Sequence, residues 1–205
     1  MLELLPEFTS KPEALLAVCA FGYLAGSIPF GIIISQILGL GDLRKIGSGN
    51  IGATNVLRTG NKLAAFLTLL FDFSKGICAV LLVRQFFGED AVQVSAFSAL
   101  VGHCFPIWLR FSGGKGVATF LGATIALSFI IGIICCLVWL FVALVRQMSS
   151  LASLTSSASA PIAAIFLGQP NTIILLTLLV GVVFFRHKQN IARIIRGVEP
   201  KIGKT

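Results

Sequence analysis

The residues best suited to chemistry lie in three polar segments of the chain. The first, between Gly41 and Lys62, contains the run GSGNIGATN followed by an arginine, Arg58. Glycines let a backbone approach a ligand closely, and successive N–H groups can form a concave anion site. Arg58 adds a fixed cation that can hold a phosphate through two hydrogen bonds. The candidate binding residues of this segment are Gly47, Ser48, Gly49, Asn50, Gly52, Thr54, Asn55 and Arg58.

The second segment, between Arg110 and Gly116, contains the turn GGKG directly before an apolar run. A helix N-terminus attracts anions through its free N–H groups and its dipole, and Lys115 would add a positive charge there. We expect the backbone of Gly113, Gly114 and Gly116 to contribute to anion binding. The turn is not a nucleotide-binding P-loop, because the pattern G-x-x-x-x-G-K-[ST] is absent. His103 is either a site residue or a hydrogen-bonding residue at a helix end.

The third segment begins at Arg186 and contains RHKQNIAR. If it is helical, Arg186, His187 and Asn190 share one face, because residues three and four apart are neighbours on a helix. Gly197 is predicted to end that helix. The alternative is a basic tail that binds anionic lipid.

Two further features lie inside apolar runs. Asp72 and Lys75 are three residues apart, so we predict that they pair, either as a structural ion pair or beside the site. Ser150 and Ser153 either face the site or pack between helices through their hydroxyl groups.

Several kinds of chemistry are not supported by the sequence. There is no G-x-S-x-G motif, no cluster of cysteine and histidine, and no acidic cluster suited to Mg²⁺. We therefore expect neither a metal nor a cofactor. The residues that remain are basic and rich in glycine and asparagine, which suits the binding of phosphorylated groups.

The composition is typical of an integral membrane protein. Of 205 residues, 56% are hydrophobic and only 12% are charged, against roughly 25% charged in a soluble domain. The net charge of +8 therefore indicates cytoplasmic loops and anionic ligands rather than nucleic acid. We predict an all-α integral membrane protein, with residues 1–205 forming a single polytopic domain.

The positive-inside rule predicts that all three polar segments are cytoplasmic, with the N-terminus outside and the C-terminus inside. Residues 117–145 then either cross once or form two half-helices that turn back near Gly132. We favour the second arrangement, since it keeps Arg146 inside and makes residues 150–168 and 171–185 short spans. It gives seven transmembrane helical segments, some of them short or re-entrant.

The segments GSGNIGATN…R, GHCFP…FSGGKGVAT and RHKQNIAR…G, in this order and spacing, resemble the signatures of the bacterial acyl-phosphate:glycerol-3-phosphate acyltransferases, the PlsY family. The resemblance implies transfer of an acyl group from acyl-phosphate to the 1-hydroxyl of glycerol 3-phosphate, giving lysophosphatidate and phosphate. It implies an enzyme of the bacterial inner membrane whose site faces the cytoplasm beside membrane lipid, with a soluble acyl-phosphate synthase supplying the donor.

By matching positions, the resemblance implies that five residues line the substrates: Ser48, Arg58, Lys115, His187 and Asn190. We expect no covalent acyl-enzyme, and a substrate phosphate is our hypothesis for the proton acceptor. The alternative function is a membrane transporter of a phosphorylated metabolite, although no inverted repeat is visible in the sequence.

Overall fold

The chain is a bundle of helices. The computed structural model describes residues 4–202, and within that range ten α-helices and no strands are present. The helices are α1 (Pro12–Ser27), α2 (Phe30–Ile37), α3 (Ala53–Val56), α4 (Lys62–Arg84), α5 (Glu89–Cys104), α6 (Val117–Leu127), α7 (Phe129–Arg146), α8 (Ser149–Phe166), α9 (Ile173–Arg186) and α10 (Lys188–Ile195).

Several helices are long and apolar enough to cross a membrane. Over the described residues there are four such segments, namely Pro12–Ile37, Lys62–Arg84, Glu89–Leu109 and Phe129–Arg146. A fifth is obtained if the bent pair of α9 and α10 is taken as one span. Large apolar side chains such as Leu137, Phe141 and Leu144 of α7 are exposed, as expected of a surface that faces lipid.

The stretch 117–145 forms two helices, as favoured from the sequence. The break falls at Ser128, where the backbone is extended (φ −147°, ψ 109°), four residues before the predicted position at Gly132. The two helices then fold against each other, since a methyl group on Gly132 would lie only 2.5 Å from the Cα atom of Ile125. The second half is longer than expected, because α7 has 18 residues and is a candidate span by itself.

Small residues let the central helices pack closely. A Cβ atom on Gly122 of α6 would lie 2.0 Å from the carbonyl oxygen of Phe73, and one on Gly76 of α4 would lie 2.3 Å from that of Thr119. Close backbone approach of this kind is the usual way that apolar helices associate in a membrane. The resulting α4–α6 contact carries the second polar segment at its end.

The turns of the bundle gather at two ends. At one end, Asp90 accepts hydrogen bonds from the backbone of Ser10 (2.8 Å), and Gln93 donates to the carbonyl of Asn171 (2.9 Å). At that same end Arg84 donates to the carbonyl of Ala126. The three polar segments lie together around a cavity at the other end, as described next.

Candidate active site

One large cavity collects residues from all three polar segments. Its volume is about 870 Å³, and its lining runs from the loop before α4 to the chain that follows α10. The polar part lies among the loops. The apolar part continues between α4, α6 and α7, where the lining side chains are Phe66, Leu69, Leu70, Phe73, Leu121 and Trp139. The cavity therefore joins a charged chamber to an apolar channel, which suits an anionic headgroup with a hydrocarbon chain.

Asn55 organises the first polar segment. Its amide nitrogen donates to the carbonyls of Leu43 and Ile46, both at 3.0 Å. Its amide oxygen accepts the backbone N–H of Ser48 at 3.0 Å and a guanidinium N–H of Arg58 at 3.4 Å. The side chain is buried, so Asn55 shapes the loop that presents Ser48 and Arg58 to the cavity.

The second segment is held in place by hydrogen bonds to both the carbonyl and the N–H groups of its glycines. Arg186 donates to the carbonyls of Gly114 (3.0 Å) and Gly113 (2.7 Å). The N–H groups of these two glycines donate to the carbonyls of His103 and Cys104. The N–H groups of Gly113 and Gly114 are thus already used within the fold, and the contribution of this backbone to anion binding stays a prediction.

Lys115 and Gly116, the last residues of the second segment, line the cavity where α6 begins. Burial lowers the pKa of the Lys115 ammonium group to about 8 from its ordinary value of 10.5. Nearby Glu199 acts in the opposite direction, whereas Arg193 and Arg58 lower the pKa further. Lys115 is thus a cation whose charge costs free energy until an anion arrives.

The third segment is not one continuous helix, contrary to the prediction. The chain bends by 67° between α9 and α10, with His187 at the junction. Nδ1 of His187 lies 2.8 Å from the carbonyl oxygen of Val183. A carbonyl only accepts, so Nδ1 carries the proton and Nε2 is left as an acceptor. His187 and Asn190 are buried and both still line the cavity, and Gly197 follows α10 at φ +72°, as predicted for a helix end.

Glu199 is a site residue that the sequence reasoning missed. Its carboxylate accepts hydrogen bonds from Ser150 (2.6 Å) and Asn190 (2.6 Å) and pairs with Arg193 (2.7 Å). Burial opposes its ionisation, but these three donors outweigh burial and hold the pKa of Glu199 below its ordinary value. A lone acid in an otherwise basic tail was the available signal.

Most of the predicted site residues lie together. Fourteen of them line the cavity: Gly47, Ser48, Asn50, Gly52, Thr54, Asn55, Arg58, His103, Lys115, Gly116, Ser150, Arg186, His187 and Asn190. Gly49 is in the turn behind it, where its N–H donates to the carbonyl of Ile46, and Gly113 and Gly114 support the second segment. Asp72 and Lys75 do pair, at 2.8 Å, and Asp72 also lines the cavity.

Comparison with known proteins decides the family. Residues 16–197 match the family model described as glycerol-3-phosphate acyltransferase. The chain belongs to the glycerol-3-phosphate acyltransferase family. This range contains all three polar segments and ends two residues before Glu199. The resemblance inferred from those segments is thereby confirmed.

Curated relatives carry the same name. A glycerol-3-phosphate acyltransferase of Jannaschia sp. (strain CCS1) is 57% identical over 183 residues, covering 89% of this chain and 90% of the relative. One from Cereibacter sphaeroides (strain ATCC 17025 / ATH 2.4.3) is 54% identical over 200 residues, covering 98% and 95%.

Two solved structures are similar over nearly the whole chain. The glycerol 3-phosphate form of PlsY (YgiH), an integral membrane glycerol 3-phosphate acyltransferase, has a TM-score of 0.87 and 38% identity, covering 92% of this chain and 96% of the other. The lysophosphatidic acid form of PlsY has a TM-score of 0.86 and 36% identity, covering 92% and 95%. The chain is thus a multi-pass membrane acyltransferase of glycerol 3-phosphate.

Proposed function

We propose that the protein transfers an acyl group from acyl-phosphate to the 1-hydroxyl of sn-glycerol 3-phosphate. The hydroxyl oxygen bonds to the acyl carbon, the bond from that carbon to the phosphate oxygen breaks, and lysophosphatidate and inorganic phosphate are released. The observation that carries this proposal is the single cavity in which Lys115 and Arg58 stand beside His187, with an apolar channel leading away. Two phosphorylated groups and one hydrocarbon chain fit that arrangement.

The main obstacle to this reaction is the approach of two anions, and the cations of the cavity address it. Lys115, Arg58 and Arg193 all lie on the lining, so the mutual repulsion of two phosphates is offset. The start of α6 adds free N–H groups from its first turn, directly after Lys115. Positioning of two bound reactants can supply ~7–11 kcal/mol of the barrier. Phosphate is already a good leaving group, so we assign no protein acid to it.

We assign the proton transfer to a phosphate oxygen of a substrate. His187 then has an orienting role: because Nδ1 is committed to Val183, Nε2 accepts a hydrogen bond from the 2-hydroxyl of glycerol 3-phosphate and leaves the proton of the attacking 1-hydroxyl to the phosphate oxygen. Asn190 stands beside it on the cavity wall. If His187→Ala removed an ionisation near pH 6–7 from the pH–rate profile while glycerol 3-phosphate binding stayed unchanged, His187 would be the base and this assignment would be wrong. No acyl-enzyme forms on this path, so an acylated serine or cysteine trapped during turnover would also contradict it.

We further propose that the end of the bundle that holds the cavity is cytoplasmic, in a bacterial inner membrane. Basic residues are concentrated there, whereas the opposite end carries Glu13, Glu89 and Asp90 against Lys11 and Arg84. The joined α1–α2 segment and α4 to α9 are then the seven transmembrane helical segments, with α6 short, the N-terminus outside and one domain throughout. A soluble acyl-phosphate synthase would deliver the donor to this face.

Phosphate release by the purified protein in bicelles tests the proposed reaction. Glycerol 3-phosphate is supplied with palmitoyl phosphate or, in parallel, with palmitoyl-CoA. We expect lysophosphatidate only with palmitoyl phosphate, its loss in Lys115→Ala, and its retention in Lys188→Ala, where the lysine is exposed and outside the cavity lining. If acyl transfer occurred only from palmitoyl-CoA, the donor would be an acyl-CoA and the proposed donor would be wrong. Glycerol 3-phosphate flux into vesicles without acyl transfer would favour the transporter.

A further inference from the structure

A buried charged cluster lies beneath the second polar segment and is not used by the reaction proposed above. It consists of Asp72 and Lys75 of α4 and His103 of α5, called here the buried triad. Their side chains are only 4–5% exposed. Lys75 Nζ lies 2.8 Å from Asp72 Oδ1, and His103 Nδ1 lies 3.5 Å from the same oxygen. Charged groups within apolar helices are costly, so their presence calls for a physical reason.

Stability alone is a weak reason. Removing two charges from water costs more than their attraction usually returns, so apolar side chains of similar volume often serve a core equally well. The buried triad, by contrast, holds neighbouring helices in defined positions. Lys75 donates to the carbonyl of Ile28, between α1 and α2, and the carbonyl of Asp72 accepts the hydroxyl of Thr119, in the first turn of α6.

The imidazole of His103 connects the buried triad to the second polar segment. A methyl group on Gly114 would lie 2.1 Å from His103 Nε2, so the ring is packed directly against the backbone of that residue. The carbonyl of His103 also accepts the N–H of Gly114 at 3.1 Å. Lys115 is the next residue along the chain. A shift of the imidazole therefore moves the backbone that carries Lys115.

We propose that Asp72, Lys75 and His103 are positioning residues, which act through the backbone of Gly114 to set Lys115 against the phosphate of glycerol 3-phosphate. The inference rests on the role proposed for Lys115. It differs from a purely structural role in one measurable respect. Disturbing the buried triad must weaken the use of glycerol 3-phosphate more than the use of the acyl donor.

The test compares Asp72→Asn, His103→Asn and their double variant with wild type. His103→Asn keeps a polar group near Asp72 but lacks the ring edge that touches Gly114. We expect each single change to raise KM for glycerol 3-phosphate about tenfold, or about 1.4 kcal/mol, with KM for palmitoyl phosphate within about twofold. The double variant should be no worse than the more affected single variant, because the two residues act as one unit. His103→Gln, whose longer amide reaches Gly114, should recover part of the loss.

Ser95→Ala is the matched control. Ser95 is buried at the same α4–α5 contact, where it donates to the carbonyl of Ala79 at 2.7 Å, but it is not part of the cavity lining. We expect it to lower the Tm without changing KM for glycerol 3-phosphate. If the triad variants behaved in the same way, with a lower Tm and an unchanged KM, the positioning role would be refuted.

The thermal shift produced by added glycerol 3-phosphate gives a second measurement that needs no acyl donor. The triad variants should require about tenfold more glycerol 3-phosphate than wild type for an equal shift. If wild type binds glycerol 3-phosphate but does not turn over palmitoyl phosphate, the proposed donor is wrong, and the shift still decides the role of the triad. If Asp72→Asn does not fold, the two His103 variants decide it.

Discussion

The charge on Lys115 should limit the enzyme at alkaline pH. Burial lowers the pKa of this lysine to about 8, so roughly half of the free enzyme has a neutral Lys115 at that pH. The charged form is lost as pH rises through this value. If only the charged form binds glycerol 3-phosphate productively, kcat/KM should fall roughly tenfold for each further pH unit. At pH 10 it would be roughly one hundredth of its plateau.

The assay is kcat/KM for glycerol 3-phosphate between pH 7 and pH 10, with palmitoyl phosphate in bicelles held at a fixed level well below its own KM, so that the profile reports the enzyme without bound phosphate. A phosphate monoester loses its second proton with a pKa of about 6, so the substrate has a constant charge over this range. The alkaline decrease in kcat should occur at higher pH than the decrease in kcat/KM, because a bound phosphate stabilises the charged form of Lys115.

Lys115→Arg supplies the decisive comparison. Arginine stays charged throughout the range, so its profile should be flat to pH 10 even if the plateau is lower, since its planar fork does not reproduce the compact ammonium. Lys188→Arg, at an exposed position, should keep the wild-type profile. A limb near pH 8 that persisted in Lys115→Arg would assign the ionisation to another group. A flat wild-type profile would refute the argument that burial controls this lysine.

Three further changes test the structure around the site. Glu199→Gln should lower the free energy of unfolding by about 2 kcal/mol, measured by denaturation in bicelles, and move the alkaline limb of Lys115 to lower pH, because a nearby negative charge is lost. Asn55→Ala should reduce kcat/KM, since the first loop loses five hydrogen bonds that position Ser48 and Arg58. Gly122→Ala should cost about 1–3 kcal/mol of stability by overpacking, whereas Gly181→Ala, with no atom within 4 Å of the new Cβ, should be neutral or mildly stabilising. A comparison of the Tm of the two glycine variants checks this.

The helical segments could be predicted from the sequence because each depends on a local pattern. Apolar length predicted the long helices, and the end of α5 at Cys104 agrees with the proline two residues later, which cannot continue a helix. The bend at His187 could not be read in this way. Residues 186–193 have a regular helical spacing of polar groups, and only the packing of α10 across the cavity shows that the axis turns there.

The residues of the site could be predicted from the sequence, but their hydrogen-bond partners could not. Glycine, asparagine and arginine marked the loops, and fourteen of the predicted residues line one cavity. The roles within it depend on long-range contacts. The carbonyls of Gly113 and Gly114 are fixed by Arg186, over seventy positions away, and the acceptor for Asn190 is Glu199, beyond the end of α10. No spacing rule connects such partners.

These internal contacts would let the proposed site bind anions without rearranging. Hydrogen bonds within the protein hold each polar segment in place. Asn55 bonds to groups of the first segment, Arg186 to groups of the second and Glu199 to groups of the third. Dipoles and cations that are already oriented stabilise developing charge without a reorganisation cost at the moment of reaction. Lys115 is held differently, since partial burial lowers the pKa of its ammonium group to about 8. In the proposed reaction, the charge of Lys115 is least favourable while the cavity holds no phosphate, so binding of the substrate phosphate would give the largest electrostatic gain.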